Sequence, residues 1–300
     1  MRCKTLPPAL TGRGLVFLVL LVLGACASPP AAPPVAAPKP VMHVALVLGG
    51  GAARGFAHVG VIKMLESQGV RPEIVLGSSV GSLVGALYAA GYSGYDLQRL
   101  VLQLGQLDLV DMTLPDRGFI KGRKLQDFVN DKVGRRPIEA LPMHFIAVAT
   151  DAATGRRVDF AHGNTGQAVR ASASVPGVFQ PVLIQGHRYI DGGVSSPVPV
   201  RAARKAGANF VIAVDILPDK VKTLNSSLAM LNQSVRVMNR QQADEELAQA
   251  DVVIRPAVGG FGLIDFGHKH EAVMEGERAA LAAMPAIRAG LARFAAQAGR

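Results

Sequence analysis

The chain has 300 residues, 49% of them hydrophobic, and its 32 Lys and Arg against 22 Asp and Glu give a formal net charge of +10. The bases come in small separate groups, Lys121-Arg123-Lys124, Arg135-Arg136 and Arg201-Arg204-Lys205. There is no aromatic-interleaved basic stripe and no Trp, which argues against a nucleic-acid platform. No His, Cys, Asp and Glu cluster has metal-ligand spacing, so neither a metal nor another cofactor is expected.

Arg2, Lys4 and Arg13 precede a nine-residue apolar run, Leu15 to Leu23. A bilayer core needs roughly 20 residues, so residues 1–25 read as a signal peptide rather than a spanning helix. Leu23-Gly24-Ala25-Cys26 resembles the bacterial lipobox, which makes Cys26 the expected lipidation site. Residues 26–41, almost all Ala and Pro after Cys26, read as an extended tether that buries no core. With no Asp at position 27, the expected location is the outer membrane facing the periplasm, held by the lipid anchor. Cys3 leaves with the signal, so the mature chain forms no internal disulfide. Losing Arg2, Lys4 and Arg13 lowers the net charge by three, from +10 to +7, which suits an anionic lipid surface.

Residues 42–300 are enough for one large α/β domain. Val44 to Leu48 is apolar without alternation, as a parallel strand covered on both faces requires. Gly49-Gly50-Gly51-Ala52-Ala53-Arg54-Gly55 follows, then a helix with Ala57, Val61, Met64 and Leu65 on one face. As a dinucleotide fingerprint the loop fails, because Arg54 occupies the third glycine position, and as a phosphate loop it lacks Gly-Lys-Ser/Thr. Side-chain-free loops before a helix instead suit backbone N–H groups aimed at a developing oxyanion.

Ile74-Val75-Leu76 is the next strand and runs into Gly77-Ser78-Ser79-Val80-Gly81. Only Ser79 has glycines at both ±2, the arrangement of a nucleophile elbow between strand and helix. Ser78 and Ser82 read as turn and first-turn helix residues. One βαβ unit thus brings the glycine loop and Ser79 to the carboxyl edge of a parallel sheet. Beyond it come a Ser93-capped helix with Leu97, Leu100, Val101 and Leu104, a helix around Leu125 and Phe128, and a buried strand from Phe145 to Asp151. Arg157 to Phe160 reads as a hairpin partner, Thr165 to Ser172 as a helix, and Val182 to Ile184 with Arg188 to Ile190 as a hairpin around Gln185-Gly186. A strand from Phe210 to Val214 follows. A helix from Asn225 or Ser226 carries Leu228, Leu231, Val235 and Met238 as core stripe. A last helix, with Ala280, Met284, Ile287, Leu291 and Phe294 on one face, is kinked or restarted at Pro285.

The Gly49 to Gly55 loop, the Gly77 to Gly81 elbow and Asp191-Gly192-Gly193 together resemble the oxyanion loop, nucleophile elbow and catalytic Asp motif of patatin-like phospholipases. Ser172-Ala173-Ser174-Val175-Pro176 to Pro181 is similar to the segment preceding that Asp. The resemblance covers roughly Val44 to Ala213. It implies a three-layer α/β/α sandwich with a mostly parallel sheet and hydrolysis of acyl esters on phospholipids, lysophospholipids or related lipids. It also implies Ser79 as nucleophile, Asp191 as base, and Gly49, Gly50, Gly51 and Arg54 in the oxyanion loop. Gly193 departs from the commoner Asp-Gly-Ala.

Two other readings stand beside this one. A Ser-Asp-His α/β-hydrolase would use His268 or His270, and a catalytically silent envelope lipoprotein would bind lipid only. Asp151 competes as base, although its Thr150-Asp151 setting suits a turn. His58, His144, His162 and His187 read as structural. Headgroup, acyl length and oligomeric state are not encoded in any motif.

Overall fold

The computed structural model describes residues 41–105, 111, 120–218, 227–261 and 267–298. The expected signal and the tether up to residue 40, Cys26 included, lie outside them.

The centre is strand β1 (Val44–Leu48), buried at every position. Its alternate side chains feed two cores. Leu46 and Leu48 face one layer with Val75, Phe145, Ile212 and Val214. Ala45 and Val47 face the other with Leu76, Val148 and Val211. This two-sided burial is why the sequence shows an unbroken apolar run instead of alternation. Helix α1 (Phe56–Ser67) returns the chain to β2 (Ile74–Ser78), which lies parallel beside β1. Helix α2 (Val80–Ala89) starts at once, and α3 (Gly94–Gln103) follows with Ser93 and Asp96 capping each other reciprocally.

After α4 (Arg123–Lys132), strand β3 (His144–Asp151) pairs parallel with β2, and β4 (Arg157–Phe160) folds back on it. Helix α5 (Thr165–Ser172) leads to a hairpin of β5 (Val182–Ile184) and β6 (His187–Asp191), whose second strand lies antiparallel to β3. A short helix, α6 (Val200–Lys205), then precedes β7 (Phe210–Val214), which takes the other side of β1. Helix α7 (Ser227–Leu247), β8 (Val252–Ile254) and α8 (Lys269–Ala298) complete the order. The sheet reads β5-β6-β3-β2-β1-β7-β8 with β4 off β3, and β3, β2, β1, β7 and β8 are mutually parallel.

One layer is thick, with α1, α2, α4, α5 and α8 contributing to its core. The opposite layer is thin, built from Val200, Ala202 and Ala203 of α6 with Ala243 and Leu247 of α7. That thinness corrects the expected stripe on α7. Val235 and Met238 are 47% and 62% exposed, and among its described side chains α7 gives the core Ala243 and Leu247, near its carboxyl end. The side chains of Leu228 and Leu231 lie outside the described set. Helix α8 runs unbroken through Pro285, with Ala280, Met284 and Ile287 buried as expected.

Candidate functional site

The carboxyl ends of β1 and β2 bring Gly49 to Gly51 and Ser79 together. Ser79 is the residue on which the strand turns into α2, at φ 54°, ψ −125°, a region that side chains other than glycine rarely occupy. The turn closes only without side chains at its flanks. A Cβ on Gly77 would lie 2.3 Å from Gly81 backbone, and one on Gly81 would lie 2.1 Å from Leu48 O. The loop before α1 abuts the same point, since a Cβ on Gly50 would come within 3.3 Å of Ser79 Cβ.

Ser79 Oγ donates to Asp191 Oδ2 at 2.6 Å across 112 positions of sequence. Strand β6 delivers Asp191 opposite Ala149 of β3, and three contacts fix it there. Its amide donates to Ser174 O at 2.9 Å, its carbonyl accepts from Thr150 Oγ1 at 2.8 Å, and its Oδ1 accepts from Gly193 N at 2.7 Å. A Cβ on Gly193 would stand 2.9 Å from that same Oδ1, and one on Gly192 would stand 2.1 Å from Val148 O. Both residues of the pair are nearly out of water: Asp191 is 6% and Ser79 8% exposed. Burial raises the Asp191 carboxyl to about 6, with the Ser79 hydroxyl and the Gly193 amide pulling the other way.

Ser172, at the end of α5, is a residue to which the sequence assigned no role. Its hydroxyl donates to Val148 O at 2.5 Å and accepts the Ser79 amide at 3.0 Å, so one fully buried oxygen ties the elbow to β3. We expect Ser172→Ala to destabilise the fold by about 1–3 kcal/mol, because the Ser79 amide and the Val148 carbonyl both lose a partner. Chemical denaturation with a two-state fit measures this, and an unchanged midpoint would show the tie to be idle. Of the neighbours of Ser79, Ser82 lies in the first turn of α2 as expected, whereas Ser78 is the last residue of β2 and not a turn residue. Ser82 Oγ returns to Ser79 O at 2.6 Å, and Ser78 Oγ is buried without a partner.

The glycine loop is more selective than the sequence implied. Gly49 N donates to Val214 O of β7 and Gly50 N to Pro197 O in the loop before α6, at 3.0 and 2.9 Å, so both of the first two amides are already spent within the chain. Arg54 sends its guanidinium to Phe261 O and Ile216 O at 3.2 and 3.4 Å, and its amide to Gly51 O. Those three expected members of the oxyanion set are therefore engaged elsewhere. Among the described residues, the amides of Gly51 in the loop and Val80 at the start of α2 have no acceptor within the chain.

The competing groups stand apart. Asp151 Oδ1 accepts from Ala153 N, Thr154 N and Thr154 Oγ1 at 2.8 to 3.0 Å, a turn cap. Donation from the Thr154 amide, then from its hydroxyl, holds this carboxyl below the ordinary range. His268 stacks on Phe261 with ring centroids 5.3 Å apart, and among the described residues no histidine hydrogen-bonds Ser79 or Asp191. His58 is fully buried, with Nε2 2.8 Å from Gly49 O. No group of three or more potential metal ligands is present among the described residues.

Against known proteins, a family model described as patatin-like phospholipase matches residues 46–204. An uncharacterized NTE family protein of Mycobacterium bovis is 38% identical over 181 residues, covering 58% of this chain and 49% of that protein. A patatin-like phospholipase domain-containing protein of Caenorhabditis elegans is 30% identical over 267 residues, 77% of this chain and 20% of that one. Lysophospholipase NTE1 of Scheffersomyces stipitis is 32% identical over 179 residues, 58% and 12% respectively. The chain thus spans about half, or less, of the length of these relatives. Among solved structures, VipD from Legionella pneumophila aligns with a TM-score of 0.49 at 12% identity, covering 82% of this chain and 67% of that one.

Proposed function

Because the chain belongs to the patatin-like phospholipase family, we propose that it hydrolyses acyl esters of phospholipids, lysophospholipids or related lipids through a Ser79–Asp191 dyad. The observation that carries the reading is the direct 2.6 Å hydrogen bond from the Ser79 hydroxyl to a buried carboxylate. In the forward step, Oγ attacks the ester carbonyl carbon while its proton passes to Asp191 Oδ2. The carbonyl π pair becomes an oxyanion, for which the amides of Gly51 and Val80 are the proposed donors. The tetrahedral adduct then collapses, the ester C–O bond breaks, and the proton on Asp191 goes to the departing alkoxide. Water, deprotonated by the same carboxylate, cleaves the acyl-enzyme and regenerates both groups.

A carboxylate at its ordinary pKa near 4 is a weak base toward a hydroxyl. At about 6 it is stronger by two units yet still mostly ionised at neutral pH. The desolvation that raises it is therefore part of the proposed chemistry. A dyad also removes the need for histidine, which favours this reading over a Ser-Asp-His triad.

The test is a panel of phospholipids, lysophospholipids, neutral glycerides and short acyl esters, with kcat/KM of the best substrate followed against pH. We expect a tenfold rise per pH unit on the acid side and a plateau above an apparent pKa of about 6. A base with an apparent pKa above 7.5 would displace Asp191 from the role. No turnover on any member would favour the lipid-binding alternative.

A further inference from the structure

His58 has no part in the dyad, yet it is fully buried on α1, directly after the glycine loop. Its Nε2 lies 2.8 Å from Gly49 O. A carbonyl oxygen only accepts, so Nε2 carries the proton and Nδ1 the lone pair. Nδ1 is buried with no partner. A ring kept where one nitrogen stays unsatisfied is held there for what the other nitrogen does.

What it holds is one end of a peptide plane. The Gly49–Gly50 peptide presents its carbonyl to His58 and its N–H to Pro197 O at 2.9 Å. With both ends bonded, the plane cannot rotate without breaking one bond or the other. Rotation is otherwise cheap between two glycines, where no Cβ restricts φ or ψ. The plane after it ends in the Gly51 amide, which has no acceptor in the chain among the described residues, and Ala52 beyond stands at φ 51°. The Gly51 N–H direction therefore depends on a plane that His58 and Pro197 fix from opposite sides.

We propose that His58 is a positioning residue that sets the oxyanion loop: its Nε2–H locks the Gly49–Gly50 peptide and thereby aims the Gly51 amide at the ester oxygen. The proposal rests on the hydrolase reading and gives the α1 histidine a function that packing alone does not supply. The ring is kept neutral by its surroundings, since burial lowers it to about 4, with the Gly49 carbonyl opposing. The hold is then constant over the pH range in which Asp191 works.

Two variants of similar bulk separate aiming from packing. His58→Leu removes the donor, whereas His58→Gln returns an N–H near the position of Nε2. Both should melt lower than the parent, since each disturbs a buried site. In His58→Leu, kcat on a soluble acyl ester should fall about 100-fold, the scale of losing one oxyanion donor, with KM within about threefold. In His58→Gln, kcat should stay within about tenfold of the parent. Equal loss of kcat in the two variants, or a loss carried by KM, overturns the proposal and leaves His58 a packing residue. Ser79→Ala is assayed in parallel. If it keeps turnover, the Ser79–Asp191 dyad reading fails. If it is dead while His58→Leu keeps the parental kcat, only the role of His58 fails.

Discussion

Asp191→Asn is expected to abolish ester hydrolysis and, at pH 8, to melt at a higher temperature than the parent. The loss should exceed about a thousand-fold, since an amide cannot take the Ser79 proton. The gain follows from linkage. Burial raises this carboxyl to about 6 in the folded chain, against about 4 when unfolded. Between those two values the folded state binds the proton that the unfolded state has released, so stability falls as pH rises through the window and stays lower above it. Two units correspond to about 3 kcal/mol, which bounds the effect. Asn fits without charge: its oxygen accepts the Gly193 amide and its NH2 faces the Ser79 oxygen. The stabilisation should be about 1–3 kcal/mol at pH 8 and should vanish near pH 4. Melting curves of both proteins at the two pH values measure it, and an Asn variant weaker than the parent at pH 8 would contradict the cause given for the shift. His268→Ala and His270→Ala should keep most activity.

Ser79→Ala and Ser79→Gly should both lose turnover and covalent labelling by a fluorophosphonate, yet differ in stability. At φ 54°, ψ −125° a side chain strains the backbone by about 1–3 kcal/mol, and glycine does not. The Gly variant should therefore unfold at higher denaturant than the Ala variant, by about 1–2 kcal/mol. Both keep the Ser79 amide on Ser172, so that tie cancels in the comparison. Labelling that persists and maps to Ser78 or Ser82 would move the nucleophile and undo the elbow assignment.

The parts of this architecture readable from sequence are those whose cause is local. The unbroken apolar β1 and the glycines around Ser79 each state their environment within a few residues. Asp191 was different. Both Asp151 and Asp191 close a strand, and the sequence singles out Asp191 through the resemblance of Asp191-Gly192-Gly193 to a family motif. The structure separates the two by surroundings, a turn that supplies three donors to Asp151 and a buried hydroxyl for Asp191. Ser172 and His58 act on atoms that no pattern marks, a backbone amide 93 positions away and a glycine carbonyl. The stripe on α7 had a helical period, but periodicity cannot say which face meets another layer. The three-residue β8 and six-residue α6 are too short to show a period at all. The glycine loop suggested a row of donors, and the neighbouring strand β7 had already claimed the first.

The strand order has a consequence for how the protein comes into being. The central strand is the first of the sheet's strands to be made, yet one of its edges waits for β7, and Ser79, just past the next strand, waits 112 residues for Asp191. Through that interval the nascent chain carries Ser79 without its carboxylate partner and, for the first 93 residues, without the Ser172 hydroxyl that accepts its amide. Under the proposed dyad, the hydroxyl and the carboxylate can meet only once Asp191 has been made, so the order of the strands sets when the pair forms.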